Sequence, residues 1–291
     1  PTPSPKTFFK PPSLNFPMIL KGKPVASSIL DKVKEGVEGL DFQPGLAIVR
    51  VGDDPASEIY VGKKLKRASE SGIKGKEFHL PADSPEKELL SLVDELNQDK
   101  EIHGMIVQLP LPDHMRADAV LQRISPDKDV DGLHPENLGR LFSGFPRFVP
   151  ATPQGIMELL SYYETEIEGR NAVVVGRSSM VGKPVSALLL NANATVEICH
   201  SRTKELASHT HRADILVVAV GKPRLVKEDM VREGATVVDV GINRTEGKLV
   251  GDVDFEPLKD KARVTPVPGG VGPLTVACLM KNVLKAAQEK K

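Results

Sequence analysis

Apolar residues recur along this chain with two alternating periods. Val25, Ile29, Val33 and Val37 stand four apart and predict a helix over 25–39, which Pro44-Gly45 breaks. Leu46-Ala-Ile-Val-Arg-Val51 is then a short apolar run closed by Gly52-Asp-Asp-Pro55, the pattern of a buried strand. The alternation continues with a helix over 58–71 stopped by Gly72, a strand at 78–80, a helix over 85–97 and a strand at 104–108. A second series starts near Pro153. It predicts helices at 154–163 and 183–191, strands at 172–175, 195–199, 215–220, 236–240 and 263–265, and a last helix over 274–288. Strands alternating with helices across short connections predict an α/β protein with mostly parallel sheets. No internal repeat, coiled coil or low-complexity segment interrupts 18–291.

Composition narrows the function classes. The 291 residues suffice for two modest domains with real cores. Lysines plus arginines number 39 and so do aspartates plus glutamates, a balance that argues against nucleic acid as the main partner. No apolar run reaches the roughly 18 residues that would predict a membrane span. Cys199 and Cys278 fall in a predicted strand and a predicted helix, so neither a disulfide framework nor a zinc site is expected, and a reducing, cytoplasmic setting is the default. The seven histidines show no ligand spacing with cysteines or carboxylates, and no metal is expected. Residues 1–17 are dense in proline and unsuited to helix or central strand; they read as an added or disordered leader outside the fold.

Several constellations carry candidate chemistry. In Asp54-Pro-Ala-Ser-Glu-Ile-Tyr60-Val-Gly-Lys-Lys64, a turn opens a helix that sets Tyr60 and Lys64 on one face, four residues apart. A lysine partly desolvated beside a phenol has a lowered pKa and can carry a proton. The competing reading is a core tyrosine next to a solvated basic run, Lys63, Lys64, Lys66 and Arg67. Gln108 ends a buried strand in Val107-Gln-Leu-Pro-Leu-Pro112, where ligands of open α/β sheets sit; otherwise it is an amide capping the sheet. Ala172-Val-Val-Val-Gly-Arg-Ser-Ser-Met-Val-Gly-Lys-Pro184 is strand, glycine turn and helix, suited to a pyrophosphate, though Gly176, Ser178 and Val181 occupy the three positions of the usual glycine fingerprint; tight packing is the alternative. The following strand ends in Cys199-His-Ser-Arg-Thr203 without an acid for a ribose diol. Ser201, Arg202 and Arg177 there suit a 2′-phosphate, which favours NADP over NAD, unless the arginines are ordinary surface residues.

Asp127-Lys-Asp-Val-Asp-Gly132 copies half a calcium loop, but its twelfth position is Leu138 rather than a glutamate, so calcium is rejected. Asp127 and Asp129 read as turn caps; Asp131 is suited to accept hydrogen bonds from an amidine-like ring edge. Pro266-Val-Pro-Gly-Gly-Val-Gly-Pro-Leu-Thr275 is either a plain linker or a loop whose backbone approaches a ligand closely.

Together these segments, with Gly251-Asp-Val253, resemble the methylenetetrahydrofolate dehydrogenase/cyclohydrolase family over nearly all of 18–291. The resemblance implies a folate-binding catalytic domain of residues 18–148 completed by 273–291, and a Rossmann-like NADP-binding domain of residues 149–272, with the folate in the cleft between them. It implies oxidation of 5,10-methylenetetrahydrofolate by NADP, followed by hydrolysis of the methenyl product to 10-formyltetrahydrofolate. By motif, Lys64 is the acid/base group, Tyr60 orients the folate, Gln108 tunes Lys64 and Asp131 holds the pterin. Val61, Val107, Leu109 and Pro268, Gly269, Gly270, Val271 and Gly272 line the folate site. Gly176, Arg177, Ser178, Val181, Ser201 and Arg202 hold NADP, with Thr152, Ile242 and Thr275 near the nicotinamide. Members are usually homodimers joined through the NADP domain. Leu274 departs from the methionine common there. A dehydrogenase without the hydrolytic step, or a nucleotide-binding scaffold without turnover, are the alternatives.

Overall fold

The computed structural model describes residues 17–290; the leader reading otherwise lies outside these residues. The elements follow in order: β1 (Met18–Ile19), α1 (Gly22–Glu38), β2 (Gly45–Val51), α2 (Pro55–Glu70), β3 (Lys74–Leu80), α3 (Glu86–Gln98), β4 (Gly104–Val107), α4 (Ala117–Arg123), α5 (Pro135–Phe142) and α6 (Ala151–Tyr162). The second half holds β5 (Asn171–Val175), α7 (Gly182–Asn191), β6 (Thr195–Cys199), α8 (Leu206–Thr210), β7 (Ile215–Val218), β8 (Thr236–Asp239), β9 (Asn243–Thr245), β10 (Lys248–Val250), α9 (Phe255–Leu258), β11 (Arg263–Val264) and α10 (Gly272–Gln288).

Three sheets result: a parallel trio ordered β3-β2-β4, a six-stranded parallel sheet ordered β1-β11-β8-β7-β5-β6, and the hairpin β9–β10. β2 and β4 are buried at every position, which is why they read as unbroken apolar runs. Within the larger sheet the chain order β6-β5-β7-β8-β11 reverses direction between β5 and β7. The crevice outside the carboxyl ends at that reversal is where open α/β sheets bind ligands. The two-residue β1 pairs with β11, so the start of the described chain joins the sheet built by the second half.

One core cluster runs through α1, α6 and α10 and meets both large sheets. α10 packs on α1 and α6. Its buried Asn282 donates to the Val130 and Val149 carbonyls at 2.8 and 2.9 Å, satisfying two backbone acceptors at the crossing between the halves. The fold is the expected two-domain α/β architecture, and it adds α4, α5, α8, α9, β1 and the β9–β10 hairpin to the predicted elements.

Candidate active site

α2 begins where Asp54 accepts the Ser57 N–H at 2.8 Å and Pro55 takes the first helical position, a cap that fixes the helix phase. That phase sends Lys64 toward the end of β4. Its Nζ donates to Gln108 Oε1 at 3.0 Å, while Gln108 Nε2 donates to the Leu109 carbonyl at 2.7 Å and so locks the amide orientation. Gln108 is itself placed by its backbone N–H on the Val49 carbonyl of β2. Burial pushes the Lys64 ammonium below the usual lysine range, and the charge of Asp131 opposes the push. Asp131 stands in a turn built by Asp129. The buried Asp129 carboxylate accepts the Leu133 and His134 N–H groups and the Asn137 side-chain amide, so it caps, as expected, but from inside the protein rather than from solvent.

A cavity of about 520 Å³ opens on the Tyr60 side of α2, and Lys64, Gln108, Leu109 and Asp131 are not among its lining residues. Tyr60, Ile242, Pro268, Gly269, Gly270, Val271 and Gly272 line it, joined by Lys63, Lys66 and Arg67. Those three cations were expected to be ordinary solvated charges; they are exposed and also border the cavity, and Lys63 Nζ lies 5.7 Å from the centre of the Tyr60 ring. The glycine loop is pressed on the start of α1: the Gly22 N–H donates to the Gly269 carbonyl at 2.8 Å, and a Cβ at Gly22 would stand 1.8 Å from the Gly270 oxygen. Val61 and Val107 point into the core and line neither this cavity nor the next, since each lies one residue round from a cavity-facing or strand-end neighbour.

A second cavity, about 430 Å³, sits at the sheet reversal. Val175, Gly176, Arg177, His200, Ser201, Thr203, Ala219, Val220 and Lys222 are among its walls, and no carboxylate is. The Gly176 N–H donates to the Cys199 carbonyl at 2.8 Å, and Ser178 Oγ accepts the Val181 N–H at 3.1 Å at the mouth of α7. A Cβ at Gly182 would meet the Gly176 oxygen at 2.2 Å, so this turn closes only with glycine there. Arg202 is exposed and is not among the lining residues; its N–H donates to His200 Nδ1. Thr152 and Thr275 share a hydrogen bond of 2.8 Å between the starts of α6 and α10.

Two carboxylates tie these cavities together: Asp252, which belongs to the Gly251-Asp-Val253 motif but was given no role, and Asp239, which the sequence did not single out. Asp252 accepts the Val220 and Gly221 N–H groups at 2.7 and 2.9 Å and the Asn243 side-chain amide at 2.9 Å. Asp239 accepts the N–H groups of Gly241, Asp252 and Val253 at 3.0, 2.9 and 2.9 Å. Both are almost fully buried. Burial pushes the Asp239 carboxyl up to about 6, with the neighbouring Asp252 adding to it and the three donors pulling back. The signal available in the sequence was an acid at the end of one strand and a second following Gly251; nothing local paired them.

The geometry is that of a desolvated amine held by Gln108 on the helix that also brings Tyr60 to one pocket, with a phosphate-ready turn at the other. The family model described as the tetrahydrofolate dehydrogenase/cyclohydrolase catalytic domain matches residues 20–131, and that described as its NAD(P)-binding domain matches 150–291. The chain is 56% identical over 274 residues to the bifunctional protein FolD of Halothermothrix orenii, covering 92% of this chain and 97% of that one. Among solved structures, the bifunctional FolD methylenetetrahydrofolate dehydrogenase/cyclohydrolase of Campylobacter jejuni superposes with a TM-score of 0.93 at 48% identity, covering 94% of this chain and 99% of that one. The Trypanosoma brucei methylenetetrahydrofolate dehydrogenase-cyclohydrolase, solved with NADP cofactor and an inhibitor, gives 0.90 at 38% identity, covering 94% and 98%.

Proposed function

The chain belongs to the tetrahydrofolate dehydrogenase/cyclohydrolase family, and we infer from that membership and from its two pockets that the protein oxidises 5,10-methylenetetrahydrofolate with NADP and hydrolyses the methenyl product to 10-formyltetrahydrofolate. The observation that carries the hydrolytic half is the Lys64–Gln108 hydrogen bond of 3.0 Å, with the amine's pKa lowered by burial. A neutral amine accepts a proton from water as that water adds to the methenyl carbon, and returns it as the ring opens. The methenyl substrate is cationic, which disfavours a second positive charge on Lys64 and keeps the base free. Gln108 Oε1 aims the amine. Asp131 is read as the group that holds the pterin, and Tyr60, Leu109 and residues 268–272 as the folate walls, with Val61 and Val107 supporting them from the core.

The second cavity suits NADP on its own residues. Its glycine turn offers backbone donors to a pyrophosphate, and Arg177, Ser201 and Lys222 offer charge and a hydroxyl to a 2′-phosphate without an opposing carboxylate. Bound there, NADP supplies the hydride acceptor. Gly176, Ser178 and Val181 are read as the pyrophosphate turn, Arg202 as an exposed contributor at its rim, and Thr152, Ile242 and Thr275 as the nicotinamide surround. The domain division is read as residues 18–148 with 273–291 binding folate and 149–272 binding NADP; the packing of α10 on α1 supports it, while β1 pairs with β11 of the NADP-binding sheet.

A homodimer joined through the NADP-binding half is supported by β6, an edge strand that carries exposed Ile198, and by exposed Leu190 on α7. The two free, buried thiols suit a cytoplasmic setting, and 10-formyltetrahydrofolate would serve purine biosynthesis there. No helix of the described residues is long and apolar enough to cross a membrane. The deciding experiment is Lys64→Met. Hydrolysis of the methenyl compound should fall by about 10²-fold or more while NADP still binds; hydrolysis at the wild-type rate refutes the role.

A further inference from the structure

Residue spacing suggested no metal site, yet the fold brings three ligand types together behind the second cavity. Glu197 and Cys199 lie two apart on β6 and therefore project from the same face of the strand. His209 sits on α8 and reaches that face through its bond to Glu197. One ligand atom from each of the three residues falls within 4.8 Å of the others. His209 Nδ1 and Glu197 Oε1 are already 2.5 Å apart, and Cys199 is buried beneath them.

We propose that Glu197, Cys199 and His209 form a site for a thiophilic divalent cation of the zinc or cobalt class, clamping α8 to the end of β6. A carboxylate oxygen, an imidazole nitrogen and a thiolate are the donors zinc takes, at about 2.0–2.3 Å each. A tetrahedral ion between them needs the His209–Glu197 pair to part by about 1 Å, within the reach of side chains that are both partly exposed. The thiolate selects against magnesium and calcium, which prefer oxygen ligands alone. On coordination the Cys199 thiol gives up its proton to solvent, and the ion's two positive charges are balanced by thiolate and carboxylate. Arg212 now pairs with Glu197 Oε2 at 3.4 Å; its side chain is 66% exposed and its Nε donates to the Ser208 carbonyl at 3.1 Å, a bond that holds the guanidinium without needing Glu197. Three protein ligands leave the fourth position to water. The site touches function by position: Cys199 also receives the Gly176 N–H on its carbonyl, and the next residues, His200, Ser201 and Thr203, line the second cavity.

The test is a titration of the untagged chain with Co²⁺, followed by competition with Zn²⁺. One equivalent should produce a thiolate-to-cobalt band in the near ultraviolet, and Zn²⁺ should erase it. The band should vanish in Cys199→Ser and persist in Cys278→Ser. Glu197→Gln and His209→Ala, changes at partly exposed positions that leave the core intact, should each weaken binding by tenfold or more. In parallel, excess Zn²⁺ should raise the melting temperature of the wild type and not of His209→Ala. Absence of the band in wild type, its survival in Cys199→Ser, or unchanged affinity in His209→Ala overturns the proposal.

Discussion

Replacing Asp252 by alanine would separate two walls that the structure holds with one carboxylate. The side chain is fully buried and accepts three hydrogen bonds, from Val220 N–H, Gly221 N–H and the Asn243 amide. Hydrogen bonds to a charged acceptor contribute about 1.5–3 kcal/mol each, so the gross loss is roughly 5–9 kcal/mol. Part is recovered. Asp239 is pushed up to about 6 from an ordinary 3.8, chiefly by burial and also by the Asp252 charge. At neutral pH that shift costs about 3 kcal/mol, and removing Asp252 relieves some of it. Because the Asp252 charge is the smallest of the causes, the relief is about 1 kcal/mol at most and a net loss of roughly 4–8 kcal/mol follows, measured by urea unfolding at pH 7.5. The pH dependence supplies a second reading. Because the folded pKa is raised, Asp239 adds stability below about pH 4 that is lost as pH rises through 6. The wild type therefore gains stability from this group between pH 7 and pH 5, and Asp252→Ala gains less. The KM for NADP should rise more than that for the folate, since Val220 lines the second cavity. A stability loss under about 1 kcal/mol, with an unchanged KM for NADP, would show that the carboxylate does not hold this wall.

Three further outcomes test the site. Asp131→Asn removes the charge that supports the Lys64 ammonium, so its pKa falls further and the acid limb of the kcat profile for hydrolysis moves to lower pH; a limb that stays or moves upward contradicts the pairing. Gly22→Ala drives a methyl group against the Gly270 carbonyl and should cost about 1–3 kcal/mol of stability, with a raised KM for the folate and little change for NADP; equal effects on both would place the damage elsewhere. Arg177→Ala should raise the KM for NADP by about tenfold or more and leave that for NAD nearly unchanged, as steady-state rates with each cofactor would show; parallel losses would rule out a 2′-phosphate contact.

The central strands were legible because parallel strands covered on both faces read as apolar runs, as in Leu46–Val51 and Ile215–Val218. β3 was seen only at its end. It is an edge strand whose first half, Lys74-Gly-Lys-Glu77, carries polar residues that look like a loop. β1 offered two residues whose partner lies some 240 positions away, beyond any local pattern. In the site, the four-residue spacing of Tyr60 and Lys64 was enough to propose a shared face, and Gln108 was marked by its place at a strand end. The cations around them were not sortable. With about 100° between successive helix residues, Lys63, Lys64, Lys66 and Arg67 point several ways, and only the packing of α2 decides which meets Gln108 and which meet the cavity. The Glu197–Cys199–His209 cluster was hidden for a related reason: its third member comes from the next helix, whose rotation the sequence leaves open.

Hydride transfer requires the folate and the nicotinamide to be held at a fixed separation, which means the two cavities need a common, stiff wall. The loops after β7 and β8 form that wall, and loops are ordinarily the softest parts of an α/β fold. Asp252 fastens the first to the β10–α9 connection; Asp239 fastens the second to the same connection through the backbone of Asp252 itself. An apolar pair of equal volume would avoid the desolvation cost but leave six donor groups unpaired, three of them buried, a larger penalty than the one Asp239 bears. Two adjacent buried acids are thus tolerated because what they anchor is backbone. The residues beside them show the same constraint, since a Cβ at Gly241 would stand 2.2 Å from the Asp252 carboxylate and one at Gly251 would stand 1.8 Å from Asp239.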